Sequence, residues 1–104
     1  MGRRPGLATL EVMRALAEGA AYGLNIMERA GLPSGTVYPI LSRLEREGLA
    51  RARWESMAQA RGAGRPRRRY YTLTASGLTV LSEAVTQARS LGRPLPAHLR
   101  VQKP

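Results

Sequence analysis

The sequence has no cysteine and no aspartate among its 104 residues. The absence of cysteine excludes disulfides, thiolate nucleophiles and zinc sites of the cysteine type. The sequence also has no glycine-rich phosphate loop. The residues that catalytic triads and metal–carboxylate sites require are therefore missing. The one histidine, His98, follows Pro96 near the chain end, where nothing would orient it for catalysis or metal binding. We therefore expect a protein that is not an enzyme and carries no metal and no cofactor.

Long apolar runs are also missing. No stretch approaches the roughly 20 apolar residues of a membrane span, and the basic residues 1–6 are not followed by the apolar core of a signal peptide. We expect a cytoplasmic protein. At 104 residues the chain has room for one domain, and it contains no internal repeat.

Negative charge is scarce, and it is unevenly distributed. Seven glutamates stand against 17 basic residues, 16 of them arginine, so the net charge is +10. Such a charge favours a polyanion as partner. Two segments contain no acidic residue at all, one between Glu28 and Glu45 and the other between Glu55 and Glu83. We expect a nucleic acid to bind at these two segments.

Apolar residues spaced three and four apart predict four helices. These helices lie at about residues 9–18, 24–31, 34–48 and 74–92. Gly31 is a typical helix stop, because glycine adopts the left-handed conformation that ends many helices. The predicted N-caps are Thr9, Ser34 and Thr74.

Between the third and fourth predicted helices the period of the pattern drops to two, which indicates β-strands. Residues 49–55 and 69–73 form the predicted strands. The connection between them holds Gly62, Gly64 and Pro66 and little apolar material, so we expect a hairpin with a long basic tip.

The aromatic residues of this hairpin suggest two roles. They could stack on the bases of a single-stranded nucleic acid, although a two-stranded hairpin is a poor platform for stacking. Alternation instead puts Trp54 on the same face as Ala52, and Tyr71 on the same face as Leu73. We therefore expect the aromatic residues to hold the hairpin against the core.

The predicted order is helix, helix, helix, strand, loop, strand, helix, which is what a winged helix-turn-helix domain requires. The fold class is thus mainly α with a small β-hairpin, the wing, and an additional C-terminal helix. We divide the chain into a DNA-binding domain at residues 1–73, a dimerisation helix at 74–92 and a flexible tail at 93–104.

The two acid-free segments coincide with the third helix and the wing, the parts of such a domain that contact DNA. Hydroxyl and guanidinium groups there can bind phosphates or base edges. Gly64-Arg65-Pro66 resembles the centre of an AT-hook, which favours contact with the minor groove. The alternatives are a solvated helix face and a disordered loop. The predicted DNA-binding residues are Ser34, Thr36, Tyr38, Arg43, Arg61, Arg65, Arg67 and Arg68.

The fourth predicted helix carries a broad apolar stripe. Such a stripe can complete the core of a monomer, or it can pack against the same helix of a second copy. We favour a homodimer, because two-fold pairing would place two reading helices on a palindromic site. The predicted dimer contacts are Leu78, Leu81, Val85 and Ala88.

Several motifs resemble the PadR-like transcriptional regulators. They are Gly35-Thr36-Val37-Tyr38-Pro39-Ile40-Leu41, Arg43-Leu44-Glu45, Gly48-Leu49, Gly64-Arg65-Pro66 and Tyr70-Tyr71-Thr72-Leu73-Thr74 with Gly77, and Tyr22-Gly23 fits as well. The resemblance covers residues 7–90. It implies a homodimeric repressor that binds a palindromic operator, with Ser34, Thr36, Tyr38 and Arg43 on the recognition helix and Arg65 and Arg67 in the wing.

The chain departs from the family pattern in a short second helix, a wing richer in arginine and a short dimer helix. Small-molecule control, seen in some relatives, cannot be carried over, because the residues of that pocket cannot be placed here. Two other functions compete with a specific repressor. One is a nonspecific architectural nucleic-acid binder, and the other is a protein-interaction module whose last helix binds a different partner.

Overall fold

The computed structural model describes residues 5–90. His98, the predicted tail at 93–104 and the last two residues of the predicted C-terminal helix lie outside the described residues. The elements in chain order are α1 (Leu7–Ala17), α2 (Gly23–Ala30), α3 (Ser34–Arg46), β1 (Ala50–Trp54), α4 (Met57–Gly62), β2 (Arg69–Leu73) and α5 (Ala75–Ser90). The predicted fold class and element order are confirmed, with the short helix α4 as an addition.

Two of the predicted helix boundaries are confirmed by their geometry. Gly31 follows α2 with a left-handed φ of 69°, and its N–H donates to the carbonyl of Met27. The hydroxyl of Thr74 accepts from the N–H of Gly77 at 3.1 Å, as expected of the N-cap of α5.

The other two predicted N-caps are wrong. Thr9 lies inside α1 and is buried. Ser34 is the first residue of α3, and the N-cap is Pro33, whose carbonyl accepts from the N–H of Val37 at 3.0 Å. Proline suits this place because an N-cap needs an extended backbone and a carbonyl, but no N–H of its own.

The wing is an antiparallel hairpin in which Ala50 pairs with Leu73 and Trp54 pairs with Arg69. The chain before α2 runs along the other side of β2, where Tyr22 forms a bridge with Tyr70. Among the described residues β1 is therefore an edge strand, and its Arg51 and Arg53 are exposed.

Helix α4 occupies the connection that the sequence had indicated as irregular. The side chain of Ser56 accepts from the N–H of Gln59 at 3.1 Å and caps this helix. Only Ala60 is buried in it, so no apolar period marks the helix in the sequence.

The core lies between α1, α2, α3 and α5 and extends under the hairpin. Its most completely buried side chains are Val12, Met13, Ile26, Val37, Leu41 and Leu44. No helix within residues 5–90 combines the length and the apolar character needed to cross a membrane.

Helix α5 packs part of its apolar stripe against the core of its own chain. Leu81 is 7% exposed and Val85 is 5% exposed, and both belong to the core cluster. The dimer contacts at Leu81 and Val85 stay a prediction. Both side chains are already covered within the chain, which leaves them little surface for a partner. Leu78 is exposed and Ala88 is half-buried.

Candidate nucleic-acid interface

Helices α2 and α3 and the turn at Gly31 form the helix-turn-helix. Tyr38, on α3, extends towards the start of α2 and remains 47% exposed. A Cβ built on Gly23, the first residue of α2, would overlap the Tyr38 hydroxyl. Gly23 thus leaves the space in which Tyr38 lies, which gives a physical reason for glycine at this position.

The outward face of α3 is opposite its buried residues. Gly35, Pro39, Ser42 and Arg46 recur three and four apart, and all four are exposed. Among the predicted residues, Ser34 is exposed at the start of this helix and Thr36 is half-buried on its flank.

Arg43 is directed towards α1 rather than outwards. Its Nη2 donates to Thr9 Oγ1 at 2.6 Å, and that threonine is buried. The guanidinium group is therefore partly engaged within the protein, although the residue as a whole is exposed. Arg46 lies on the outward face and was not among the predicted DNA contacts. The series 35, 39, 42, 46 is the signal that could have found it.

The wing is organised around Glu55, which is only 3% exposed. Arg65 binds its carboxylate with two hydrogen bonds, Nη1 to Oε1 at 2.6 Å and Nη2 to Oε2 at 2.9 Å. The N–H of Arg68 donates to Oε1 at 3.2 Å, and the Tyr70 hydroxyl donates to Oε2 at 3.1 Å. Arg65 is also one of the predicted DNA contacts, and in the folded chain its guanidinium is bound to Glu55.

These contacts fix the charge state of Glu55. Hydrogen bonds from Arg65, together with those from the Arg68 N–H and the Tyr70 hydroxyl, lower the pKa of Glu55 from 4.5 to about 2 in spite of its burial. The same pairing raises the pKa of Arg65. Both groups are therefore charged throughout the neutral range.

Three further arginines of the wing lie against aromatic rings. The guanidinium carbons of Arg67 and Arg69 are each 5.2 Å from the ring centroid of Trp54. The guanidinium carbon of Arg68 is 3.9 Å from that of Tyr22. Cation–π contacts of this kind hold long, flexible side chains in place.

Trp54 does not belong to the core, contrary to the sequence prediction. It is the last residue of β1, and it is 53% exposed. Tyr71 and Leu73 are buried as expected, and burial raises the pKa of Tyr71.

A hollow of about 500 Å³ lies between the wing, α3 and the start of α2. Tyr38 contributes to it from α3, and Trp54, Arg67 and Arg68 contribute from the wing. Arg69 links the two elements by donating to Glu45 at 3.0 Å. Tyr38 of α3 and the wing thus border the same hollow. Arg61, in the last turn of α4, is exposed.

Comparison with known proteins gives a consistent result. The model of the transcriptional regulator PadR-like family matches residues 12–83. The X-ray structure of a PadR-like transcription factor from Bacteroides fragilis is 30% identical, with a TM-score of 0.69 over 84% of each chain. A PadR family transcription regulator from Clostridium difficile is 26% identical, with a TM-score of 0.72 over 84% of this chain and 92% of the other.

A third structure, a PadR family transcriptional regulator from Eggerthella lenta, is 32% identical, with a TM-score of 0.61 over 78% of this chain and 73% of the other. No curated protein matches the sequence. The family match spans well over half of the chain, and the winged helix-turn-helix fold agrees with it. The chain therefore belongs to the PadR-like family of DNA-binding transcriptional regulators.

Proposed function

We propose that the protein is a non-enzymatic repressor that recognises a palindromic operator in double-stranded DNA as a homodimer. The observation that carries the proposal is the one hollow that Tyr38 of α3 and the wing border together. A duplex on that side can receive α3 in its major groove and the wing in the adjacent minor groove.

The dimensions and residues of α3 suit this role. Thirteen helical residues span about 20 Å, enough to cross a major groove about 12 Å wide. Its outward face carries small side chains and Arg46, so the backbone can approach the bases closely. Ser34, Thr36 and Tyr38 can donate to phosphates at the start of the helix, where the helix dipole also favours an anion.

In the wing, Arg61, Arg67 and Arg68 are the proposed DNA contacts. Arg61 and Arg67 are exposed. Arg67 donates from Nε to the carbonyl of Glu55 at 3.0 Å, which leaves its two Nη groups available for a phosphate or a groove edge. The narrow minor groove attracts arginine strongly.

The dimer is proposed on the exposed side of α5. Leu78 is 49% exposed, and Ala88 continues the apolar stripe. Leu78→Glu should halve the mass in sedimentation while the far-UV circular dichroism stays unchanged. Thr79→Glu, at an exposed neighbouring position, is the matched control. An unaltered mass for Leu78→Glu, or a monomeric wild type, would remove this part of the proposal.

The experiment that tests the function is selection of bound duplexes from a random pool. We expect enrichment of a sequence with two inverted half-sites. At about 150 mM salt the selected duplex should then bind at least roughly a thousandfold more tightly than random duplex.

The alternative is a nonspecific architectural binder, which the net charge of +10 also permits. No enrichment and equal affinity for all duplexes would establish that alternative and exclude the repressor.

A further inference from the structure

Glu55 is the only carboxylate that is buried within residues 5–90, and it lies in the most basic part of the chain. For a surface that binds phosphates, a negative charge among arginines weakens the attraction. The position of Glu55 is therefore unexpected if the wing acts only as a concentration of positive charge. Its contacts indicate a geometric role.

Glu55 fastens both ends of the connection between the strands. It follows β1 directly, and its backbone N–H donates to the carbonyl of Arg68 at 2.8 Å. Its carboxylate receives Arg65, the N–H of Arg68 and the Tyr70 hydroxyl, and its own carbonyl receives Arg67 Nε. One residue thus fixes the path of the chain through residues 65–68, which connect α4 to β2 and would otherwise have many conformations open to them.

We propose that Glu55 is a positioning residue of the DNA interface. It holds the wing in the shape that presents Arg67 and Arg68 to a duplex, and it removes Arg65 from the residues that touch DNA. This inference rests on the proposed function of duplex binding. Arg65 serves as the counterion of Glu55, and its bidentate geometry fixes direction as well as distance.

The direction in which one substitution changes the affinity for DNA separates a positioning role of Glu55 from a purely electrostatic one. Glu55→Gln removes a negative charge from the wing, so electrostatics alone would tighten binding to every duplex. If Glu55 positions the wing, the variant binds the duplex selected by the wild type at least tenfold more weakly, while binding to random duplex of equal length is not weakened. Glu47→Gln, an exposed residue just after α3, makes the same change in charge and is the control. It should bind both duplexes slightly more tightly.

Tighter binding of the selected duplex by Glu55→Gln, as in the control, would overturn the proposal. Affinities are compared at a temperature where far-UV circular dichroism shows every variant folded, so a loss of global stability alone leaves them unchanged.

The role of Arg65 is tested by combining substitutions. If Arg65 acts only through Glu55, Arg65→Gln and the double variant Glu55→Gln/Arg65→Gln bind the selected duplex within about twofold of Glu55→Gln. If Arg65 contacts DNA itself, the loss of affinity in the double variant is the product of the losses in the two single variants. This part of the proposal is then wrong.

Hydrogen exchange of the free protein tests the wing without DNA. In Glu55→Gln the Arg68 amide should exchange at least tenfold faster than in the wild type, while the amides of Leu41 and Leu44 in α3 are unchanged. Equal exchange at Arg68 would overturn the proposal even if the wild type binds its operator. Conversely, a wild type that binds no duplex contradicts the proposed function, whatever the exchange shows.

If Glu55→Gln does not fold, Tyr70→Phe decides. It removes one hydrogen bond to the same carboxylate without changing the charge. Faster exchange at the Arg68 amide supports the positioning role of Glu55, and unchanged exchange overturns it.

Discussion

The two halves of the proposed interface are held by different forces. Helix α3 is supported from beneath by Val37, Leu41 and Leu44, which are almost completely buried. The wing has little apolar support beyond its base, and its distal part is held by one buried carboxylate and by guanidinium groups on aromatic rings. The recognition helix has few charges, whereas the wing has many that are already engaged. The number of arginines in a segment therefore overstates how many can reach DNA.

The largest effect is expected where the support of α3 is removed. Leu44→Ala, at a site 1% exposed, should lower the free energy of unfolding by about 2–5 kcal/mol. Urea denaturation measures this loss. Leu24→Ala, at a site 58% exposed, is the control and should change stability by less than about 1 kcal/mol. Similar losses in both variants would mean that burial does not hold the helix.

The next effect concerns which arginine of α3 reaches DNA. Arg46→Ala should weaken binding to the selected duplex by about 1–3 kcal/mol, because this residue lies on the outward face. Arg43→Ala should weaken it less, since its guanidinium is engaged with Thr9. Arg89→Ala, on α5, removes the same charge elsewhere and serves as the control. Fluorescence anisotropy titrations compare the three variants, and a larger loss for Arg43 would reverse the assignment.

A smaller effect tests the aromatic support of the wing. Trp54→Ala removes the ring that both Arg67 and Arg69 contact. Exposed cation–π contacts contribute about 0.5–1 kcal/mol each, so exchange of amides in residues 65–69 should accelerate by several-fold while the core amides stay protected. Met57→Ala, at a similarly exposed site on α4, should leave these rates unchanged. If amide exchange changes equally in both variants, the Trp54 ring does not stabilise the wing.

A last effect is on the dependence of stability on pH. Glu55 has a pKa of about 2 in the folded protein, below its ordinary value of 4.5. Its ionised form therefore stabilises the fold above about pH 4.5, and this contribution is lost as the pH falls towards 2. The melting temperature of the wild type should fall more steeply between pH 5 and 2 than that of Glu55→Gln. Parallel curves would show that the folded protein does not favour the charged form.

The arrangement of the fold could be predicted from the sequence because it depends on periodic burial. The spacing of Val37, Ile40 and Leu41 marks α3, and alternation marks β1 and β2. Helix α4 was missed because it buries one residue and has no stripe. The apolar stripe of α5 shows that the helix must be covered, but not whether its own chain or a second copy supplies the cover.

The site was less accessible to sequence reasoning. Charge counting located the wing, but it could not show that Arg65 pairs with Glu55 across ten positions, since that pairing depends on the path of the loop. Alternation placed Trp54 on the correct face of β1, but it could not show that the end of that face is exposed. Helical spacing separates Arg46, on the outward face of α3, from Arg43, which is directed towards α1.

The open side of β1 has a consequence for the behaviour of the protein at high concentration. A strand edge with unpaired backbone groups invites the corresponding edge of another molecule, and such pairing begins many aggregates. Here Arg51 and Arg53 lie along that strand, so two copies that approach edge to edge repel each other. High ionic strength screens this repulsion, and the protein should therefore be stored at moderate salt, where its own charge keeps the molecules apart.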